Sequence, residues 1–369
     1  MKVVRVRSPF IIEVNEAGSI GSKIELYIYP ASGPFPASPT YTLSKPNPTT
    51  TQLSTYYNVS NFVREYIDNI KPNNVNNPLA ATESFNEWAL FKVKRYKLVG
   101  TTYTLLSDID YIGVNGFTNY SDGIQNPTNT KILLLANPNI NNYYFNGSYS
   151  DLRMEYLNFL YDKLATDVLT IKWERIDGTI YTFTQNIAPG VAVSDNLKVP
   201  VTTVIFDGNF VNGCKVTITL TPVSGSPTIN IFYTYPICEP KYTPVRCSFI
   251  NRYGGWKDII FFKAQTNSIN VKSEDYKLMP KEVNYNVFRG QSKSFNFNGS
   301  QKVTLNTGWV EENYSELITD LLLSETVLLD QKPVIVKTQS SELKTKLKNR
   351  LINYTMEFEY NFNLINDVI

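Results

Sequence analysis

The sequence predicts a mainly β protein, built as two or three sandwich-like domains of immunoglobulin or fibronectin type and carrying two short amphipathic helices. Three observations predict it. Aromatics make up 13% of the 369 residues, with 25 Tyr and 20 Phe, and such rings favour the pleated, half-buried surface of a sheet. Apolar and polar residues alternate in run after run, the period of a strand with one buried face. Between those runs stand Gly, Pro, Asn and Asp, each a turn former for its own reason. The length suits two or three domains. They are expected at 1–135 (an N-terminal β-domain with one helix), 150–240 (a β-sandwich) and 245–369 (a C-terminal β-domain with one helix).

The elements follow in order. Phe10-Ile11-Ile12-Glu13-Val14 and Lys23 to Tyr29 read as strands. Pro30 to Pro48 is a proline-rich excursion around one extended stretch, Tyr41 to Ser44, because proline cannot donate within a central ladder. From Ser60 to Ile70 the period becomes helical, with Phe62, Val63, Tyr66, Ile67 and Ile70 on one face and Ser60 placed to cap. Strand signals resume at Trp88 to Tyr96 and Tyr103 to Leu106, with Val99 to Thr102 as a hairpin turn. Asp110 to Gly123 is rich in turn formers, its Gly113, Gly116 and Gly123 suggesting loops or a short edge strand, Lys131 to Leu135 reads as a buried strand, Ala136 to Ser150 as a Tyr- and Asn-rich loop, and the stretch to Ala165 as a short helix.

Asp177-Gly178 between Val168–Ile176 and Thr179–Thr184 predicts a hairpin closed by a two-residue turn. Val201 to Phe206, Lys215 to Leu220 and Thr228 to Tyr235 add strands at sandwich spacing. After a Pro-rich joint at 236–244 come Arg246 to Ile250, a Gly254-Gly255 turn, Trp256 to Lys263, a helix from Ser315 to Ser324 with Tyr314 as its staple, and Val334 to Lys337. The run Tyr354 to Phe362 alternates without a break and is expected to be central, with Tyr354, Met356, Phe358, Tyr360 and Phe362 on its core face.

Composition limits the chemistry. The chain contains no His, the commonest general base and metal ligand near neutral pH, so triads, Cys–His dyads and most zinc or iron sites are excluded. Cys214, Cys238 and Cys247 lack metal or disulfide spacing and read as core thiols. The 35 basic and 33 acidic residues nearly cancel and are interspersed, which argues against nucleic acid or an anionic membrane as partner. There is no apolar run of membrane-spanning length and no leader pattern. A soluble, cytoplasmically made protein with protein partners is expected.

Carboxylate pairs are the acid–base option that remains: Asp108 with Asp110, Glu274 with Asp275, and Glu311 with Glu312. Adjacent acids in turn-rich segments are usually solvated, so no catalytic role is assigned to them. Ser107 to Asp110 lacks the Gly and Glu of a calcium loop. The glycines of Arg252-Tyr253-Gly254-Gly255-Trp256 are followed by no phosphate-binding Lys and read as hairpin punctuation. Tyr143, Tyr144, Phe145 and Tyr149 are rings fit for a protein interface, with sugar stacking as the alternative. No catalytic, cofactor-binding or metal-binding residue is assigned, and no cofactor is expected.

Several segments carry a resemblance: Arg7-Ser8-Pro9-Phe10, Tyr41-Thr42-Leu43-Ser44-Lys45, Tyr57-Asn58-Val59-Ser60 with Phe62 to Ile67, Trp256 to Lys263, Leu278-Met279-Pro280, and Asn306 to Tyr314. Together they resemble virion structural proteins of crAss-like and related phages of Bacteroidetes hosts, short-tailed particles with stacked protein rings. The resemblance implies a non-enzymatic tail or tail-ring component, its β-domains sandwich-like or tail-tube-like, located in the virion after synthesis in the bacterial cytoplasm. Its partners would be itself in a ring and other tail proteins. Two rivals remain, a receptor- or glycan-binding module at the tail tip and a tail-borne depolymerase.

Overall fold

The computed structural model describes residues 2–30, 35–68, 82–84, 88–129, 132–138, 140, 142–146, 156–161, 167–187, 195–200, 213–222, 225–237, 241–279, 283, 286, 288, 290–338 and 351–365. Among them the chain is mainly β, in several sandwich-like sheets with two α-helices. It divides into two compact units, Met1–Cys238 with Phe249–Asp258, and Glu239–Ser248 with Ile259–Ile369.

In the first unit a six-stranded sheet runs Tyr41–Pro46, Gly21–Pro30, Trp88–Val99, Thr102–Val114, Lys2–Arg5, Thr128–Asn129. One face buries Ile24, Leu26, Phe91, Val93 and Tyr111 against Ile12, Val14 and Tyr57 of the two-stranded sheet Ile11–Val14/Thr55–Asn58. Phe91 stacks on Tyr111 at 5.2 Å, and Phe10 meets both rings edge-on. Between the layers the buried Ser22 hydroxyl bonds those of Thr55 and Tyr57, so these polar groups stay satisfied without water. Pro46 lies on the edge strand, where a missing N–H is harmless.

The helix spans Ser60–Arg64 only, and Ser60 is not its cap. Its Oγ instead accepts from Phe10 N at 2.6 Å and donates to Ser8 O at 2.7 Å, tying the helix start to the N-terminal segment. Tyr66 N and Ile67 N bond three residues back, and these tighter turns still deliver both side chains to the core. Ile70 lies outside the described residues. The turn-rich reading of Asp110 to Gly123 is corrected over its first part, since Thr102–Val114 is one long strand. Its Gly113 is a close approach: a Cβ there would lie 2.7 Å from Val63 Cγ1 and 3.0 Å from Val6 Cγ1.

A five-stranded sheet follows in the order Asn142–Asn146, Thr228–Ile237, Cys214–Thr221, Asp167–Arg175, Ile180–Ile187. Leu169, Ile171, Trp173, Val216, Ile218, Leu220 and Phe232 form its core, with burial at every second residue of Asp167–Arg175. The hairpin at Asp177-Gly178 is present, but its loop has three residues. Arg175 N donates to Thr179 O, Gly178 N returns to Arg175 O, and positive φ falls on Gly178 alone, a type I turn closed by a glycine bulge. The stretches read as a loop and a short helix hold strands, Asn142–Asn146 and Tyr156–Tyr161. Tyr and Phe there favour a sheet, and long-range pairing overrides the turn preference of Asn. Tyr156–Tyr161 belongs to a four-stranded sheet with Ile132–Leu134, Asp195–Pro200 and Thr82–Ser84. The strand expected at Val201 to Phe206 lies outside the described residues.

A seven-stranded sheet has the order Trp256–Phe261, Val245–Ile250, Val327–Leu329, Lys332–Val336, Leu351–Asn363, Ser292–Glu311, Thr266–Lys277, and all of it but residues 249–250 and 256–258 belongs to the second unit. The helix Tyr314–Leu322 buries Tyr314, Leu317, Ile318 and Leu321. Leu351–Asn363 is central, as its period predicts, and Tyr354, Met356 and Phe358 are buried, the last edge-on to Phe261 at 5.8 Å. The expected core face holds only as far as Phe358: Tyr360 is half-buried and Phe362 is exposed.

Candidate functional site

Consecutive strand residues point to opposite faces, and this alone disposes of Glu274 with Asp275, which sit side by side within Thr266–Lys277. Glu311 ends Ser292–Glu311, and Glu312 lies in the turn that follows. Asp108 and Asp110 do share a face, but Lys92 Nζ lies 3.7 and 3.6 Å from them. Ser107 to Asp110 is strand and not a loop, so it has no calcium-loop backbone. Among the described residues no group of His, Cys, Asp and Glu is arranged to hold a metal ion, and no helix is long and apolar enough to cross a membrane. Cys214 and Cys247 are buried, and burial pushes the Cys214 thiol up. Cys238 and Tyr149 lie outside the described residues. Tyr144 stacks on Tyr235 at 5.6 Å, so this part of the aromatic segment belongs to a sheet.

A denser polar cluster lies on the other face of the six-stranded sheet. Glu25 accepts from Lys23 Nζ at 2.6 Å, Tyr96 OH at 2.7 Å and Tyr27 OH at 3.2 Å. Lys23 also sits over the Tyr96 and Tyr103 rings, and Lys94 over Tyr27. Burial opposes ionisation of Glu25, but the ammonium and the two hydroxyls outweigh it and hold the carboxyl below its usual range. Burial and the same carboxylate push Tyr27 and Tyr96 up. An acid held ionised and phenols held protonated are ill suited to proton transfer at neutral pH. The cluster ties strands together.

Also in the first unit is a cavity of about 200 Å³ lined by Arg5, Asp122, Gln125, Asn126 and Tyr253. Two guanidiniums lie over the Tyr253 ring, that of Arg5 at 4.8 Å and that of Arg252 at 5.6 Å from its centroid. Gln125 is committed to the Arg5 backbone, accepting from its N and donating to its O at 3.0 Å. The Gly pair of the Tyr253 hairpin is structural: Asn251 Oδ1 accepts from Tyr253 N and Gly255 N, and Gly254 has φ +87°.

The most unusual surface is in the second unit. All twelve residues of Thr266–Lys277 are exposed, as is the start of Ser292–Glu311 with which it pairs. This two-stranded arm carries Ile269, Val271, Phe295 and Phe297 in exposed positions. Lys272 pairs with Asn298 and Glu274 with Phe295, so two residues oppose Ser273 in a bulge at which Asn296 takes φ +51°. Reading the sequence does not single out this arm. Its signal is the alternation of Ile269 and Val271 with Asn and Ser, which a strand buried on one face would share. No family model matches the chain, and no curated protein is detectably similar to it.

Proposed function

We propose that this protein is a structural component of a bacteriophage virion, a tail or tail-ring protein that assembles as a symmetric ring through protein–protein contacts and performs no chemistry of its own. The exposed arm carries the reading. Over Lys272–Lys277 it is a two-stranded ribbon, which is marginally stable in water, and Ile269, Val271, Phe295 and Phe297 stand exposed along the strand pair, a surface that a partner would cover. The paired carboxylates and the absence of His point the same way. Cryo-EM of the intact particle is the test. Density for this chain in a symmetric ring about the tail axis supports the reading, and a purified particle lacking the chain refutes it. A second reading, glycan recognition at the tail tip, draws on the cavity whose lining holds Tyr253 together with Asp122 and Asn126. Saturable binding of host polysaccharide, lost in Tyr253→Ala, would favour it.

A further inference from the structure

We infer that the open edge of Thr266–Lys277 pairs antiparallel with the same strand of a second copy, about a two-fold axis through Ser273. The inference does not depend on the virion reading. It begins with the direction of backbone groups. Leu278 N donates to Gln291 O at 2.7 Å, so even-numbered residues of this strand turn their N–H and C=O toward Ser292–Glu311. The other end of the arm agrees. Gly299, which stands opposite Val271, gives its carbonyl to Leu364 N at 2.8 Å, away from this strand. Ile269, Val271, Ser273, Asp275 and Lys277 therefore direct their N–H and C=O outward, at the terminal strand of the sheet.

An incoming antiparallel strand must match these outward groups with its own, which for two identical strands allows only registers symmetric about a residue. Charge then chooses among them. Symmetry about Lys272 places lysine against lysine, about Glu274 glutamate against glutamate, and about Asp275 aspartate against aspartate, and like charges directly opposite are destabilising. Symmetry about Val271 sets Lys272 opposite Asn270 and gains no charge pair, and symmetry about Tyr276 sets Asp275 opposite Lys277 but overlaps only the last three residues of the strand. Symmetry about Ser273 sets Lys272 opposite Glu274 of the second copy and Glu274 opposite its Lys272, while Asn270 meets Tyr276 and Val271 meets Asp275. Lys272 has no ion-pair partner among the described residues, and Glu274 has only a long contact from Asn296 Nδ2 at 3.5 Å. The bulge at Asn296 and Phe297 leaves Thr266–Lys277 itself regular, so its outward groups stay in step along the edge.

Sedimentation velocity on the full chain tests this. Wild type should form a dimer, or a larger even-numbered assembly containing it. Val271→Pro removes an outward N–H that its own sheet does not use, so it should leave the circular dichroism and melting temperature unchanged while giving monomer. Lys272→Glu and Glu274→Lys should each weaken association about tenfold or more, and the double exchange should restore it, because it swaps the charges and keeps them complementary. A monomeric wild type overturns the proposal. So does an assembly that Val271→Pro leaves intact, or a double exchange no better than either single variant.

Discussion

Two long hairpins, one in each unit, show how the same local structure acquires opposite roles. Trp88–Val99 with Thr102–Val114 and Thr266–Lys277 with Ser292–Glu311 are both antiparallel pairs interrupted by a register shift. The first is flanked on both sides, by Gly21–Pro30 and Lys2–Arg5, and buries Trp88, Phe91 and Val93. Among the described residues the second has a strand neighbour only beyond Ser292–Glu311, and every residue of its edge strand is exposed. Local pairing makes a hairpin, and lateral neighbours make it core.

The comparison can be broken most severely at the aromatics. Phe91→Ala in the first hairpin, and Phe358→Ala in the central strand of the second unit, should each cost about 3–5 kcal/mol in chemical denaturation, the range for an aromatic lost from a core. Phe297→Ala on the arm should change stability by less than about 0.5 kcal/mol. Equal losses at Phe91 and Phe297 would mean the arm is packed. Gly113→Ala should cost about 1–3 kcal/mol by overpacking against Val63 and Val6.

The polar face of the first hairpin gives a sharper, pH-dependent contrast. Because the Glu25 carboxyl lies below its usual range, its contribution is fully present above the unfolded-state value near ~4.3 and is lost as pH falls through the lower folded value. Glu25→Gln should therefore lower the melting temperature at neutral pH and leave it near wild type at the acid end of a melting series. A variant that melts with wild type at neutral pH would remove Glu25 from the account of stability. The smallest effect should come from Glu357→Gln, whose ion pair with Lys302 at 2.9 Å is only partly buried: less than about 0.5 kcal/mol in the same assay.

Wherever one face of a strand is buried, the sequence by itself determines the element. Period two marked Asp167–Arg175 and Leu351–Asn363, and Asp177-Gly178 marked a hairpin, because side-chain alternation and backbone preference are local properties. The loss of catalytic histidine chemistry is likewise written in the composition. Only tertiary structure decided that Asp177-Gly178 closes a three-residue loop, that Ser60 bonds Phe10 and Ser8 in place of capping, and that Asn142–Asn146 is a strand. The last two depend on partners distant in the chain, and the loop length on where the strand pairing stops. The same holds for the arm, whose alternating Ile269 and Val271 read like any half-buried strand. Their exposure goes with sheet order, since Thr266–Lys277 is the terminal strand and among the described residues no strand pairs with its outer edge.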